Sequence, residues 1–90
     1  MNPSREKSRI AVKKATSLLQ KIQHMIEDDQ YCIDIMQQNL AVIGLLKSAH
    51  QSLMEGHVDH CVKAALETGS TAKKQQMIDE ILRVSKLANK

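Results

Sequence analysis

Three side chains in this 90-residue chain have the types and spacing for chemistry: Cys32, His57 and Cys61. Residues four apart on a helix share a face one turn apart, so His57 and Cys61 form a two-donor clip. Cys32 precedes His57 by 25 residues, about seven α-helical turns, so one face of a long helix would carry all three. Along that helix, Cys32 and His57 lie roughly 37 Å apart at 1.5 Å per residue. One straight helix therefore keeps them apart, but an antiparallel second copy brings them together. A two-fold axis near Leu45, beside Gly44, sets Cys32 of one chain next to His57 and Cys61 of the other, and symmetry makes two such sites per dimer. A glycine at the crossing lets the two backbones approach closely.

Two sulfurs and one nitrogen make a soft, three-coordinate donor set. Soft sulfur ligands select Cu(I), zinc or iron–sulfur chemistry. Structural zinc takes four ligands and catalytic zinc three plus water, so the trigonal set suits Cu(I) best. Packing accounts for the same residues too, because a free Cys is often a small buried hydrophobe and a histidine can be hydrogen-bonded at an interface. The other histidines have weaker claims. His60 is one step around the helix from Cys61, His50 sits on the seam one heptad before His57, and His24 reads as surface. Met25, Met36, Met54 and Met77 fall at helical core spacing and read as core, not as a methionine-rich copper cluster.

The elements that must position these residues are helices. Ala11, Ala15, Leu18, Ile22 and Met25 recur at spacings of three and four, with Val12, Leu19 and Ile26 widening the stripe. Pro3 and Ser4 open the chain, with a helical pattern from Lys7 onward. The acidic run Glu27-Asp28-Asp29 ends this helix and is placed to cap the next with carboxylates. The second stripe is Ile33, Met36, Leu40, Ile43, Leu46, His50, Leu53, His57 and Cys61. It runs to about Thr68, where Gly69 is a stop signal; Gly44 and Gly56 inside it weaken its continuity by roughly 1 kcal/mol each. Ser70 and Thr71 are placed to cap a third helix with Met77, Ile78, Ile81, Leu82 and Leu87 as its apolar face. No period-2 alternation occurs. The fold class is all-α, three helices in one domain over 1–90.

Composition narrows the function classes. The apolar fraction of 42% is almost wholly aliphatic, with Tyr31 the single aromatic residue; this disfavours nucleic-acid readers that stack bases on aromatic platforms. No Gly-rich phosphate loop or G-x-S-x-G element is present, and nothing marks an enzyme. No apolar run approaches the roughly 18 residues of a membrane span. The polar stretch Met1–Lys7 shows no secretory signal, and two cysteines without one point to a reducing cytoplasm. So small a chain has a modest core and is expected to oligomerise. The net charge of +3 hides segregation: residues 1–24 carry six basic residues against Glu6 alone, residues 25–67 two against seven acidic, and residues 68–90 five against two. A basic first helix suits electrostatic binding to a phosphate backbone, although Lys-rich faces are also ordinary solvated surface.

The stretch Met25-Ile26-Glu27-Asp28-Asp29-Gln30-Tyr31-Cys32-Ile33-Asp34, followed by Gly56-His57-Val58-Asp59-His60-Cys61-Val62, resembles the copper-sensing operon repressor (CsoR) family. The resemblance covers nearly the whole chain and is firmest from about residue 25 to 62. It implies three helices assembled as an antiparallel dimer and then a tetramer. It also implies repression of transcription in the metal-free state and release of operator DNA on binding Cu(I). By this resemblance Cys32 comes from one subunit and His57 with Cys61 from the other, with Tyr31 standing behind the ligands. Nickel- and cobalt-sensing relatives add an N-terminal histidine, and Met1–Arg9 contains none. Persulfide-sensing relatives drop the histidine, and His57 is retained. The chain departs from the family pattern in three places. The Arg-rich first helix with a Gly-Gln step is represented by Lys13, Lys14, Ser17 and Leu18. Ile43 and Ser48 stand on the second helix where basic residues are usual. Lys73-Lys74-Gln75-Gln76 replaces the Glu residues that usually open the last helix.

These readings converge on a cytoplasmic Cu(I)-responsive repressor, not an enzyme, whose partners are double-stranded operator DNA and further copies of itself. Arg5, Arg9, Lys13 and Lys14 are its expected DNA contacts, and no membrane is involved. Two rivals share the fold: a thiol- or persulfide-responsive repressor using Cys32 and Cys61, and a copper-binding oligomer that no longer binds DNA.

Overall fold

The computed structural model describes residues 2–88. Helix α1 spans Pro3–Glu27 and α2 spans Cys32–Gly56; a π-helical turn, His57–Val62, follows, then the short α3 (Lys63–Thr68) and α4 (Thr71–Ala88). Helical structure is unbroken from Cys32 to Thr68, so the chain has the three helices expected, the second one compound. The chain divides into two compact units after Gly56.

The first unit is an antiparallel helical hairpin. Its opening helix starts four residues earlier than the hydrophobic stripe predicts, because Asn2 caps it: the Arg5 N–H donates to Asn2 Oδ1 at 2.9 Å. Pro3 then occupies the first helical position, where its missing N–H costs nothing. The helix ends as expected in the acidic run, through a Schellman closure. Asp29 takes φ 52°, its N–H donates to Ile26 O at 3.2 Å, and the Gln30 N–H donates to Met25 O at 3.0 Å. The run does not cap α2. That helix begins past Tyr31, whose carbonyl accepts from the N–H groups of Asp34 (3.1 Å) and Ile35 (3.3 Å), and the carboxylate in its first turn is Asp34.

The hairpin core is built from Ala15, Ile22 and Val42, with Leu18, Ile35 and Leu45 packed against it. Toward the start of α1 the facing residues become small: Ser8 and Ala11 are buried on α1, Ala49 and Gly56 on α2. Small residues let the helix axes converge. The buried Ser8 hydroxyl lies within donating distance of Ser4 O (2.8 Å) and of Ala49 O across the hairpin (3.1 Å). Gly44 does not interrupt α2, and Gly56 stands where the α-helix passes into the π turn.

The apolar stripe read along the second helix is not the face that packs on α1. Ile33, Met36, Leu40, Ile43, Leu46 and Leu53 are exposed, with Leu40 at 66%; α1 covers instead the face of Ile35, Val42, Leu45 and Ala49. Met36 is 58% exposed, so it is not a core residue of the single chain, whereas Met25 is buried. Val12, Leu19 and Ile26, read as widening the first stripe, are exposed as well. Two helices bury one narrow stripe each, and the apolar residues beyond it need a further partner.

In the second unit α3 ends at Gly69, whose N–H donates to Ala65 O at 2.7 Å. Gly69 is extended (φ −78°, ψ 155°); it is required because a Cβ there would collide with the Ala65 carbonyl, not for left-handed backbone. Ser70 caps α4 as expected, its Oγ accepting from the Lys73 N–H at 3.2 Å. Met77, Ile81 and Val84 are half-buried on α4, and Ile78, Leu82 and Leu87 are exposed. No large side chain is fully buried among the described residues.

Candidate metal and DNA sites

Cys32 is the first residue of α2 and belongs to the first unit; His57 and Cys61 belong to the second. Both thiols are free and exposed, and His57 is half-buried. Among the described residues, no three His, Cys, Asp or Glu side chains of the single chain gather into a metal-holding group. The i, i+4 pair lies inside a π-helical turn, not the α-helical one expected from its spacing. A π turn closes its hydrogen bonds from i to i+5, so residues four apart are still about one turn apart and the two donors can still share a face. The chemistry of the donors fits a soft cation: two free sulfurs and an imidazole, none of them held in a side-chain hydrogen bond among the described residues. π-helical turns are rare and frequently occur at functional sites, and no periodicity in the sequence marks this one in advance. Tyr31, directly before Cys32, is exposed. His60 and His50 are exposed, and His24 lies 3.7 Å from the Glu27 carboxylate at the surface.

The basic residues lie on α1, and Arg5, Arg9, Lys13 and Lys14 are all exposed. Arg9, Lys13 and Lys14 line one side of a groove of about 680 Å³ whose floor includes Leu18 and Leu45, and Lys21 extends the same cationic rim. Lys21 counted in the charge of the first helix, and its place on this rim follows from the 13, 14, 17, 21 spacing along a helical face. Arg9 is engaged already. Its Nη2 donates to Glu6 Oε1 at 2.6 Å and its Nε to Glu6 Oε2 at 3.2 Å, a fork-to-fork pair one turn apart on α1. This hydrogen bond holds the Glu6 carboxyl below its ordinary pKa, and Glu6 in turn raises that of Arg9.

Residues 5–86, nearly the whole chain, match the pattern of the family described as metal-sensitive transcriptional repressors. The chain belongs to that family. It is 38% identical over 85 residues to the copper-sensing transcriptional repressor CsoR of Bacillus subtilis, covering 92% of this chain and 81% of the relative. With the copper-sensing transcriptional repressor RicR of Mycobacterium tuberculosis it shares 33% identity over 66 residues, 73% of this chain and 69% of that one. Its fold matches the crystal structure of the copper-sensing repressor CsoR with Cu(I) from Geobacillus thermodenitrificans, with a TM-score of 0.85 and 29% identity over 100% of this chain and 91% of the other. This metal-sensitive repressor is thus a transcriptional regulator and not an enzyme. No helix among its described residues is long and apolar enough to cross a membrane.

Proposed function

We propose that this metal-sensitive repressor responds to Cu(I), held between two antiparallel chains by Cys32 of one and His57 with Cys61 of the other. The observation that carries the reading is the uncovered stripe of α2. Ile33, Met36, Leu40, Ile43 and Leu53 form an exposed apolar seam on the helix that begins at Cys32 and leads into His57. At Gly44, near the midpoint, an added Cβ meets nothing within 4 Å. A second copy laid antiparallel on this seam buries it and sets opposite ends of the compound helix side by side, so one packing event assembles both symmetry-related sites. Copper sensing by three relatives supports the choice of metal. Cys32 of one chain with His57 and Cys61 of the other would hold the Cu(I), whose soft ligation would link one chain's α2 to the other chain's π turn.

In the metal-free state the exposed cations of α1, Arg5, Arg9, Lys13 and Lys14, contact DNA phosphates as flexible or forked charges and position the oligomer without reading the base sequence.

 Metal binding shifts the assembly toward a conformation whose basic surfaces no longer match the duplex, and the coupling is reciprocal, DNA weakening copper affinity by the same factor. The test is an anaerobic Cu(I) titration of the reduced protein on duplex DNA from upstream of its own gene. Stoichiometric Cu(I) is expected to release the DNA, and failure of the metal-free protein to bind any duplex would favour a copper-binding oligomer without a DNA role. The two exposed thiols also suit a thiol-responsive repressor; mass spectrometry after persulfide or peroxide treatment separates the readings, a Cys32–Cys61 crosslink that releases DNA supporting the thiol sensor.

A further inference from the structure

Gly56 is the last α-helical residue of α2 and His57 the first of the π turn, so Gly56 is covalently joined to a proposed ligand. It is buried, and it is buried under the start of α1. A Cβ at Gly56 would stand 2.8 Å from Ser4 Cβ, 3.3 Å from Ser4 Oγ and 3.8 Å from Asn2 Oδ1. The first distance is well inside van der Waals contact, so the absence of a side chain is what lets the first turn of α1 rest on the backbone of residue 56. A second link lies one turn further along, where the buried Ser8 hydroxyl reaches Ala49 O at 3.1 Å. Each of these α1 serines is followed directly by an arginine of the basic set, Ser4 by Arg5 and Ser8 by Arg9.

We propose that the Ser4–Gly56 contact is a coupling element, transmitting displacement of the π turn to the basic N-terminal end of α1. The proposal rests on the reading of His57 and Cys61 as metal ligands and of α1 as the DNA-binding helix. Any shift of the His57 backbone on ligation reaches Gly56 through a single peptide bond, and Gly56 has no side chain whose rotation could absorb that shift. Packed interiors pass such shifts on because they are dense and have few voids. The Asn2 cap on the Arg5 N–H holds residues 2–5 as one body, so a push at Ser4 carries Arg5 with it.

The test uses the full chain, with Gly56→Ala, Ser4→Gly and the Gly56→Ala/Ser4→Gly double variant. Each is measured for Cu(I) affinity without DNA, for duplex affinity without metal, and for the factor by which Cu(I) weakens duplex binding. Gly56→Ala is expected to displace the start of α1 in both states. Metal-free duplex affinity should then fall, and the copper-dependent factor should shrink about fivefold or more, a coupling change within the usual range. Cu(I) affinity without DNA should not fall. Ser4→Gly in the Gly56→Ala background removes both close atoms and should return the factor to within about twofold of the unmodified protein. It also keeps the test intact if Gly56→Ala alone does not fold. A factor unchanged in Gly56→Ala, or not restored in the folded double variant, would overturn the proposal. If the unmodified protein binds neither Cu(I) nor DNA, the functional reading fails first, and the two failures are distinguishable.

Discussion

Replacing Leu40 with Ala separates a free surface from an uncovered interface. In the single chain Leu40 is 66% exposed, and a substitution at a true surface position changes stability by about 0.5 kcal/mol at most. If a second chain covers the α2 seam, the remaining two-thirds of the side chain is buried there. Full burial of a leucine is worth about 1.5–3 kcal/mol, so the truncation costs about 1–2 kcal/mol per chain and about twice that per symmetric dimer. At 1.4 kcal/mol per tenfold, the dimer dissociation constant rises roughly 30- to 1000-fold. Sedimentation equilibrium of the reduced, metal-free protein over a wide concentration range reads this directly. Val42→Ala is the comparison, because Val42 is buried inside the hairpin. It should lower unfolding stability by about 2 kcal/mol while leaving the dissociation constant of the folded dimer within a few-fold. A dissociation constant for Leu40→Ala within threefold of the unmodified protein would refute the antiparallel seam.

Lys13→Ala with Lys14→Ala should weaken specific and random duplexes alike and flatten the log–log salt slope by about two per engaged copy of α1, at roughly 0.9 per phosphate contact; an unchanged slope would remove this face from the interface. Glu6→Gln should strengthen duplex binding and steepen the slope by up to about 0.9 per engaged copy, because Arg9 is no longer held in the fork with Glu6. The Glu6 carboxyl is held below its ordinary pKa, so the helix-stabilising effect of the pair is present above that ordinary value and lost as pH falls through the lowered one; the effect of Glu6→Gln on DNA binding should therefore be constant between pH 6 and 8. Asp29→Gly should raise unfolding stability by up to about 1 kcal/mol, since φ 52° is a conformation in which a side chain is unfavourable, and thermal unfolding monitored by circular dichroism checks it.

Helix number and approximate extent are legible in the sequence because aliphatic residues recur at three and four, and because Ser70 and the acidic run are local signals. The spacing also singles out Cys32, His57 and Cys61 as a candidate donor set, since four residues and 25 residues are both close to whole α-helical turns. Periodicity identifies an apolar face but not what covers it. Helix α2 is apolar on two sides, and α1 takes the Ile35–Val42–Leu45–Ala49 side, leaving the Ile33–Met36–Leu40–Ile43 stripe exposed. The π turn is invisible to such reasoning, because one widened hydrogen-bonded turn leaves no compositional trace. The Asn2-Pro3 start was readable as an N-cap followed by proline at the first helical position, and the stripe alone places the start too late. The Gly56–Ser4 approach depends on residues 52 positions apart, and only the folded hairpin brings them together.

Subunit mixing tests the proposed intersubunit site most directly. Cys32→Ala and Cys61→Ala chains should each bind Cu(I) poorly as homodimers, because every site lacks one sulfur. In an antiparallel heterodimer of the two, one site carries both substitutions and the other is intact. After verified subunit exchange under anaerobic conditions, competition against a Cu(I) chelator should therefore recover high-affinity binding of one Cu(I) per heterodimer. No recovery of binding in verified heterodimers would contradict a site built from two chains.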